Sequence, residues 1–207
     1  MIAIVDYGVG NLKSVKNAAL FLGHETHITD SVSKIKKADK IIFPGVGHFG
    51  RAVTELKKRR LFELLKSRIA DGVSFLGICL GMQILFEESQ EAAGVKGLGV
   101  IKGKVKRFNC GALAVPHMGW NRVKIKDKRL KIKNSGIFKG VKDKSFFYFV
   151  HTYYCQPKEK EVVSAFTDYG TEFACAVSKK NIWAVQFHIE KSQALGLKVF
   201  DNFLKLP

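Results

Sequence analysis

The sequence predicts an α/β protein with a mostly parallel central sheet, flanking helices and an antiparallel flank. Three observations predict it. In the first half, short β-branched runs alternate with helical apolar patterns, the order that a parallel sheet needs for its crossovers. Residues 73–78 form a fully apolar run, as expected of a strand buried on both faces. In the second half, strand-like segments follow one another across loops, and one clearly helical stretch closes the chain.

The elements follow in order. Residues 2–5 are a β-branched strand, 11–22 a helix stopped by Gly23, and 24–28 a second strand. Residues 40–43 make a third strand, which Pro44-Gly45-Val46-Gly47 turns into a loop. A helical stretch covers roughly 49–70. After the apolar strand at 73–78, residues 82–87 again carry a helical pattern. Segments 146–150, 162–166, 172–177 and 182–187 read as strands, and 193–204 as the closing helix. No repeat, low-complexity tract or linker interrupts the chain, so one domain is expected over residues 1–207.

Composition narrows the function classes. Hydrophobic residues are 46% of the chain and aromatics 11%, too apolar for a disordered protein. The first apolar run meets Asp6 at once, too short for a signal peptide, and no stretch reaches the ~20 apolar residues of a membrane span. A cytoplasmic protein without a membrane partner is expected. Cys79, Cys110, Cys155 and Cys175 are scattered, with neither a C-x-x-C pair nor a metal-ligand cluster, so no disulfide framework, metal or cofactor is predicted. The formal net charge of +17 raises nucleic-acid binding as a possibility. Yet Lys124, Lys126 and Lys128 alternate with Val123, Ile125 and Asp127, the pattern of a wet, lysine-rich edge strand, and no aromatic stacking motif accompanies them.

One cysteine needs its own explanation. In Gly77-Ile78-Cys79-Leu80-Gly81 the apolar strand ends and a helical pattern begins, the arrangement of a nucleophile elbow with a thiol in place of a hydroxyl. The turn demands small residues two before and two after the nucleophile. A helix N-terminus beneath the sulfur would favour thiolate. Against this stands a buried structural cysteine between two packing glycines. A thiol needs a base and the base an orienter. His188 follows the apolar strand at 182–187, and Glu190, two residues on, points the same way if the chain stays extended. The backbone N–H of Leu80 and the glycine-flanked Val46-Gly47 segment are candidate donors to an oxyanion.

G-I-C-L-G-M-Q at 77–83 followed by F-H-I-E at 187–190 resembles the class I glutamine amidotransferases. P-G-V-G-H-F-G at 44–50, P-H-M-G-W-N at 116–121, Y-F-V-H-T-Y at 148–153 and Q-F-H-I-E-K-S at 186–192 are similar to the branch of that family that serves histidine biosynthesis. The resemblance covers nearly the whole chain. It implies the family's fold, and a Cys79-His188-Glu190 triad that hydrolyses glutamine to glutamate and ammonia. It implies that Gln83, Glu91, His151, Thr152 and Tyr153 help hold glutamine, with Val46, Gly47 and Leu80 beside the reacting carbonyl. It further implies a heterodimer with a barrel-shaped cyclase subunit, which receives the ammonia, and places Asn11, Met118, Trp120, Tyr148 and Lys191 at that interface. Ile189 stands where the family usually has proline. A paralogue serving another acceptor, such as an amidino-sugar pathway, has the same chemistry. A cysteine peptidase on a similar elbow and a basic RNA-binding module are the readings from other classes.

Overall fold

The computed structural model describes residues 1–126 and 136–207, so Asp127 and Lys128 of the alternating pattern lie outside the described residues. Strands β1 (Ile2–Val5), β2 (Thr26–Thr29), β3 (Lys40–Gly45), β4 (Ser74–Cys79) and β12 (Ile182–Val185) pair in parallel in the order β2-β1-β3-β4-β12. From β12 the sheet continues antiparallel through β11 (Glu172–Lys179), β10 (Val163–Asp168), β7 (His117–Ile125) and β8 (Ser145–His151). A side branch joins β9 (Tyr153–Pro157) to β11, β6 (Gly103–Arg107) to β9, and the two-residue β5 (Glu88–Ser89) to β6. This is an α/β architecture, mostly parallel at its centre with an antiparallel flank.

Both faces of the parallel core are covered, which explains its near-continuous apolar runs. Ala3, Val5, Ile41, Phe43 and Phe75 face one cluster, which takes in Leu56 of α3 (Phe49–Lys58), Leu65 of α4 (Phe62–Ala70) and Ile35 of α2 (Val32–Lys36). The intervening Ile4, Ile42, Leu76 and Ile78 face the other, with Val15 and Ala19 of α1 (Leu12–Phe21) and Phe200 and Phe203 of α6 (Gln193–Leu204).

Several boundaries differ from the sequence reading. The stretch 49–70 is two helices, because Arg60 adopts φ 59° and Leu61 starts a new one. Pro44 and Gly45 belong to β3 and not to a loop; β1 pairs only as far as Ile42, so the missing Pro44 N–H leaves no β1 partner unmet. The pattern at 82–87 yields a single turn, α5 (Leu80–Gln83). Strands β6 and β9 and helix α2 were not anticipated. The lysine-bearing strand β7 is not an edge: β8 pairs with it from His117 to Val123, and β10 takes over at Lys124 and Ile125. Its solvated face is real, for Arg122 and Lys124 are exposed while Val123 is buried.

Candidate active site

The elbow is built by close approach. Cys79 ends β4 with φ 54° and ψ −109°, a left-handed geometry that costs a non-glycine residue about 1–3 kcal/mol and is typical of functional turns. A Cβ on Gly81 would lie 1.9 Å from the Phe43 carbonyl oxygen, and one on Gly77 would lie 2.6 Å from the Gly81 oxygen. Neither position accepts a side chain, which is the physical content of the two flanking glycines. Helix α5, which starts directly after Cys79, is a single turn, shorter than the helical pattern suggested.

Strand register places those side chains. β12 runs parallel to β4 with Val185 opposite Ile78, so the chain leaving β12 passes beside Cys79. His188 is 2% exposed there, and its Nδ1 lies 2.8 Å from Glu190 Oε1. The step between them is not extended as expected. Ile189–Lys191 form a 3-10 turn that brings the carboxylate back under the imidazole. Ile189 is 1% exposed, and the Ser192 hydroxyl ties the turn down by donating to the His188 carbonyl at 2.6 Å while accepting from the Tyr148 N–H at 3.0 Å. Packing and this clamp hold the loop without a proline.

Burial would push His188 down, yet the Cys79 sulfur and the Glu190 carboxylate hold it up at about 10. His188 Nε2 is buried and meets no hydrogen-bond geometry with any described residue. The thiol reaches the Val150 carbonyl at 4.0 Å.

Beside the sulfur is a pocket of about 310 Å³, in the size range of small-molecule sites. Its lining includes Val46, Gly47, Leu80, Gln83, Glu91, His151, Thr152 and Tyr153, every residue expected at the reacting carbonyl or around glutamine, together with Pro116 and Val150, which were not anticipated. A larger hollow of about 750 Å³, lined by Ser74, Trp183 and Leu206 among others, includes none of the candidate catalytic or glutamine-holding residues. Glu91 has a second task, since its Oε2 accepts from the Phe49 N–H at 2.6 Å and caps α3. Gly47 has φ 101° and Val46 is 38% exposed, so the candidate oxyanion segment is accessible. At the expected partner surface, Met118 and Trp120 are 61% and 46% exposed on β7, Tyr148 is half-buried beside Trp120, and Asn11 and Lys191 are exposed.

A directional chain of hydrogen bonds supports the pocket wall. The Tyr153 carbonyl can only accept, so His151 Nδ1 donates to it at 2.7 Å and its Nε2 is left as an acceptor. His117 Nδ1 therefore donates to that atom at 2.9 Å, and Asn121 donates to His117 Nε2 at 3.1 Å. Burial pushes His117 down to about 4 and His151 to about 3. The unfolded chain therefore binds more protons in acid. Stability is complete above the ordinary histidine value of 6.5 and is lost as pH falls towards 4, by on the order of 3 kcal/mol per histidine. Thermal melting against pH should show this decline, and His117→Gln should flatten it by about half; an unchanged slope in the variant would contradict the assignment.

With this geometry in place, the sequence profile described as glutamine amidotransferase class-I matches residues 3–206. The chain is a class I glutamine amidotransferase. A relative from Methanocaldococcus jannaschii, described as imidazole glycerol phosphate synthase subunit HisH, is 48% identical over 206 residues, with 100% of both chains covered. A relative from Chlorobaculum tepidum with the same description is 45% identical over 204 residues, covering 98% of each chain. Among solved structures, a glutamine amidotransferase superposes with TM-score 0.74 at 18% identity over 99% of this chain and 98% of that one. PurLQS from Thermotoga maritima reaches 0.73 at 18% identity over 98% and 96%. These two speak for the amidotransferase fold alone.

Two residues beside the site escaped the sequence reading. Gln186 lies within the 186–192 motif but had no assigned role, and His117 sits inside the 116–121 motif that was weighed only as a partner surface. Their positions depend on cross-strand pairing, which no local pattern reports. Among the described residues, no helix is long and apolar enough to cross a membrane, and no group of three or more His, Cys, Asp or Glu is arranged to hold a metal.

Proposed function

We propose that this amidotransferase is the glutaminase subunit of an imidazole glycerol phosphate synthase, hydrolysing glutamine and passing ammonia to a cyclase subunit in histidine biosynthesis. The observation that carries the reading is the pairing of a strained, pocket-facing Cys79 with the buried His188–Glu190 couple, in a chain whose full-length relatives bear that name. The Cys79 thiolate attacks the side-chain amide carbon of glutamine. His188, held by Glu190, keeps the thiol proton and delivers it to the departing nitrogen, so ammonia leaves and a thioester remains. Water activated by His188 then releases glutamate and restores the thiol. Leu80 N–H and the Val46-Gly47 backbone are the donors assigned to the oxyanion.

Ammonia set free in neutral water is mostly ammonium, which has no lone pair to attack an acceptor. A bound, barrel-shaped cyclase that receives it by a shielded passage avoids that loss. Trp120, Met118, Tyr148, Asn11 and Lys191 are the surface assigned to the partner, forming a heterodimer in the cytoplasm. Exposed apolar Met118 and Trp120 together favour this over an RNA-binding face.

The test is glutamate release by the chain alone and with a cyclase subunit from the same cell plus its nucleotide substrate. Stimulation of about a hundredfold or more is expected, the effect of completing one oxyanion donor, and Trp120→Ala should weaken association by about 2 kcal/mol or more. Stimulation by a sugar-pathway synthase, with none by the cyclase, would transfer the function to that acceptor.

A further inference from the structure

Gln186 is fully buried and has no part in the mechanism above, yet it reaches the reacting atom. Its Nε2 lies 3.5 Å from Cys79 Sγ, an ordinary separation for an N–H donor to sulfur. Amide oxygen and nitrogen are easily interchanged, but here the surroundings fix them. Gln83 lies 3.0 Å from the Tyr153 carbonyl, which only accepts, so the Gln83 atom there is its NH₂. The same NH₂ lies 3.2 Å from Gln186, so the Gln186 atom facing it is the oxygen. The Gln186 NH₂ is thereby left facing the sulfur. His151 donates to the same Tyr153 carbonyl and holds the far end of the series.

We propose that Gln186 is a further catalytic residue, an amide donor that stabilises the Cys79 thiolate, locked in orientation by Gln83 and the Tyr153 carbonyl. The proposal rests on the reading of Cys79 as nucleophile. Register explains the placement: Val185 pairs with Ile78, so the next residue on β12's path comes level with Cys79. The donor acts on the sulfur while it holds its electron pair, before the S–C bond forms and again when the thioester is cleaved. It acts less on the thioester, whose sulfur is a poorer acceptor. Gln83 also lines the pocket, so its grip on Gln186 ties the thiolate to the wall that meets substrate.

The titratable groups facing the sulfur are His188 and, behind it, Glu190 after β12, Tyr7 after β1, Cys155 on β9, and His151 at the end of β8. Burial and the Cys79 charge hold Tyr7 and Cys155 protonated, and burial holds His151 neutral.

The experiment follows iodoacetamide alkylation of Cys79 against pH in the full-length chain, read by peptide mass to separate it from the other three cysteines. In Gln186→Leu the donor is gone, and the midpoint should rise by about one pH unit, the scale of a lost hydrogen bond to a charged group. A thiolate freed of its donor is also more nucleophilic, with a Brønsted slope of about 0.4–0.5. The high-pH plateau should therefore rise about threefold while the low-pH rate falls about threefold, so the two profiles cross. Simple loosening of the site would change the rate without moving the midpoint. Gln186→Glu keeps the volume and the acceptor for Gln83 but brings a negative charge in place of the donor, and should shift the midpoint further up. Should Gln186→Leu fail to fold, the Gln186→Glu profile decides. An unmoved midpoint in the folded variant overturns the proposal. If Cys79→Ala has meanwhile lost glutamine turnover, the nucleophile reading survives that failure; retained turnover in Cys79→Ala would overturn both.

Discussion

Cys79→Ala is expected to abolish glutamine hydrolysis, by a factor on the order of 10⁵ or more in kcat, while the assembled synthase continues to run on added ammonium salts. The magnitude follows from removing the nucleophile of a covalent mechanism, where loss of one member of a coupled set costs nearly as much as loss of all. Ammonium rescue follows from the proposed function, in which the acceptor chemistry belongs to the partner. The substitution should spare the fold: among the described residues the hydrogen-bond contacts of the sulfur are long ones, 4.0 Å to the Val150 carbonyl and 3.5 Å to Gln186, and alanine keeps the Cβ that the elbow already accommodates. Comparable loss of both activities would mean that the variant had damaged assembly and not chemistry.

His188→Ala should be nearly as severe, and Glu190→Gln distinctly milder. In the proposed mechanism His188 is the base, and Glu190 acts through it over the 2.8 Å contact to Nδ1. Removing a base leaves the thiol proton without an acceptor; replacing the orienter leaves the base present but less favoured as imidazolium. Because Glu190 also holds the His188 imidazole up, Glu190→Gln should lower the pH at which His188 gives up its proton. Both effects are read from kcat and kcat/KM against pH, with melting temperature as a control for folding. Equal damage from the two substitutions would assign Glu190 a different role.

The elbow and the parallel core were legible because their signals are local. Two glycines flanking Cys79, an apolar run before it and the near-continuous apolar runs of β1, β3 and β4 all stand in contiguous sequence. The pocket lining was legible through the resemblance, since residues 46–47, 79–83 and 151–153 come from separate elements that no spacing rule connects. What stayed hidden has identifiable causes. The break at Arg60 carries neither glycine nor proline. Strands β6 and β9 hold a single β-branched residue between them, Val105, so β-branching does not mark them as strands. The turn at Ile189–Lys191 looks like a continued strand until Ser192 is seen clamping it to Tyr148. Gln186 and the His117–His151 couple are set by register between strands distant in sequence, and their hydrogen bonds exist only once the sheet has formed.

The central claim is that Cys79 takes the acyl group of glutamine. It is tested most directly by mixing the full-length chain with glutamine, quenching rapidly in acid and measuring intact and peptide masses. A γ-glutamyl thioester on the Cys79 peptide, absent from Cys79→Ala and accumulating before glutamate release reaches steady state, is the expected result. Steady glutamate release with no adduct on Cys79 at any time, or with the adduct on Cys110, Cys155 or Cys175, would contradict it.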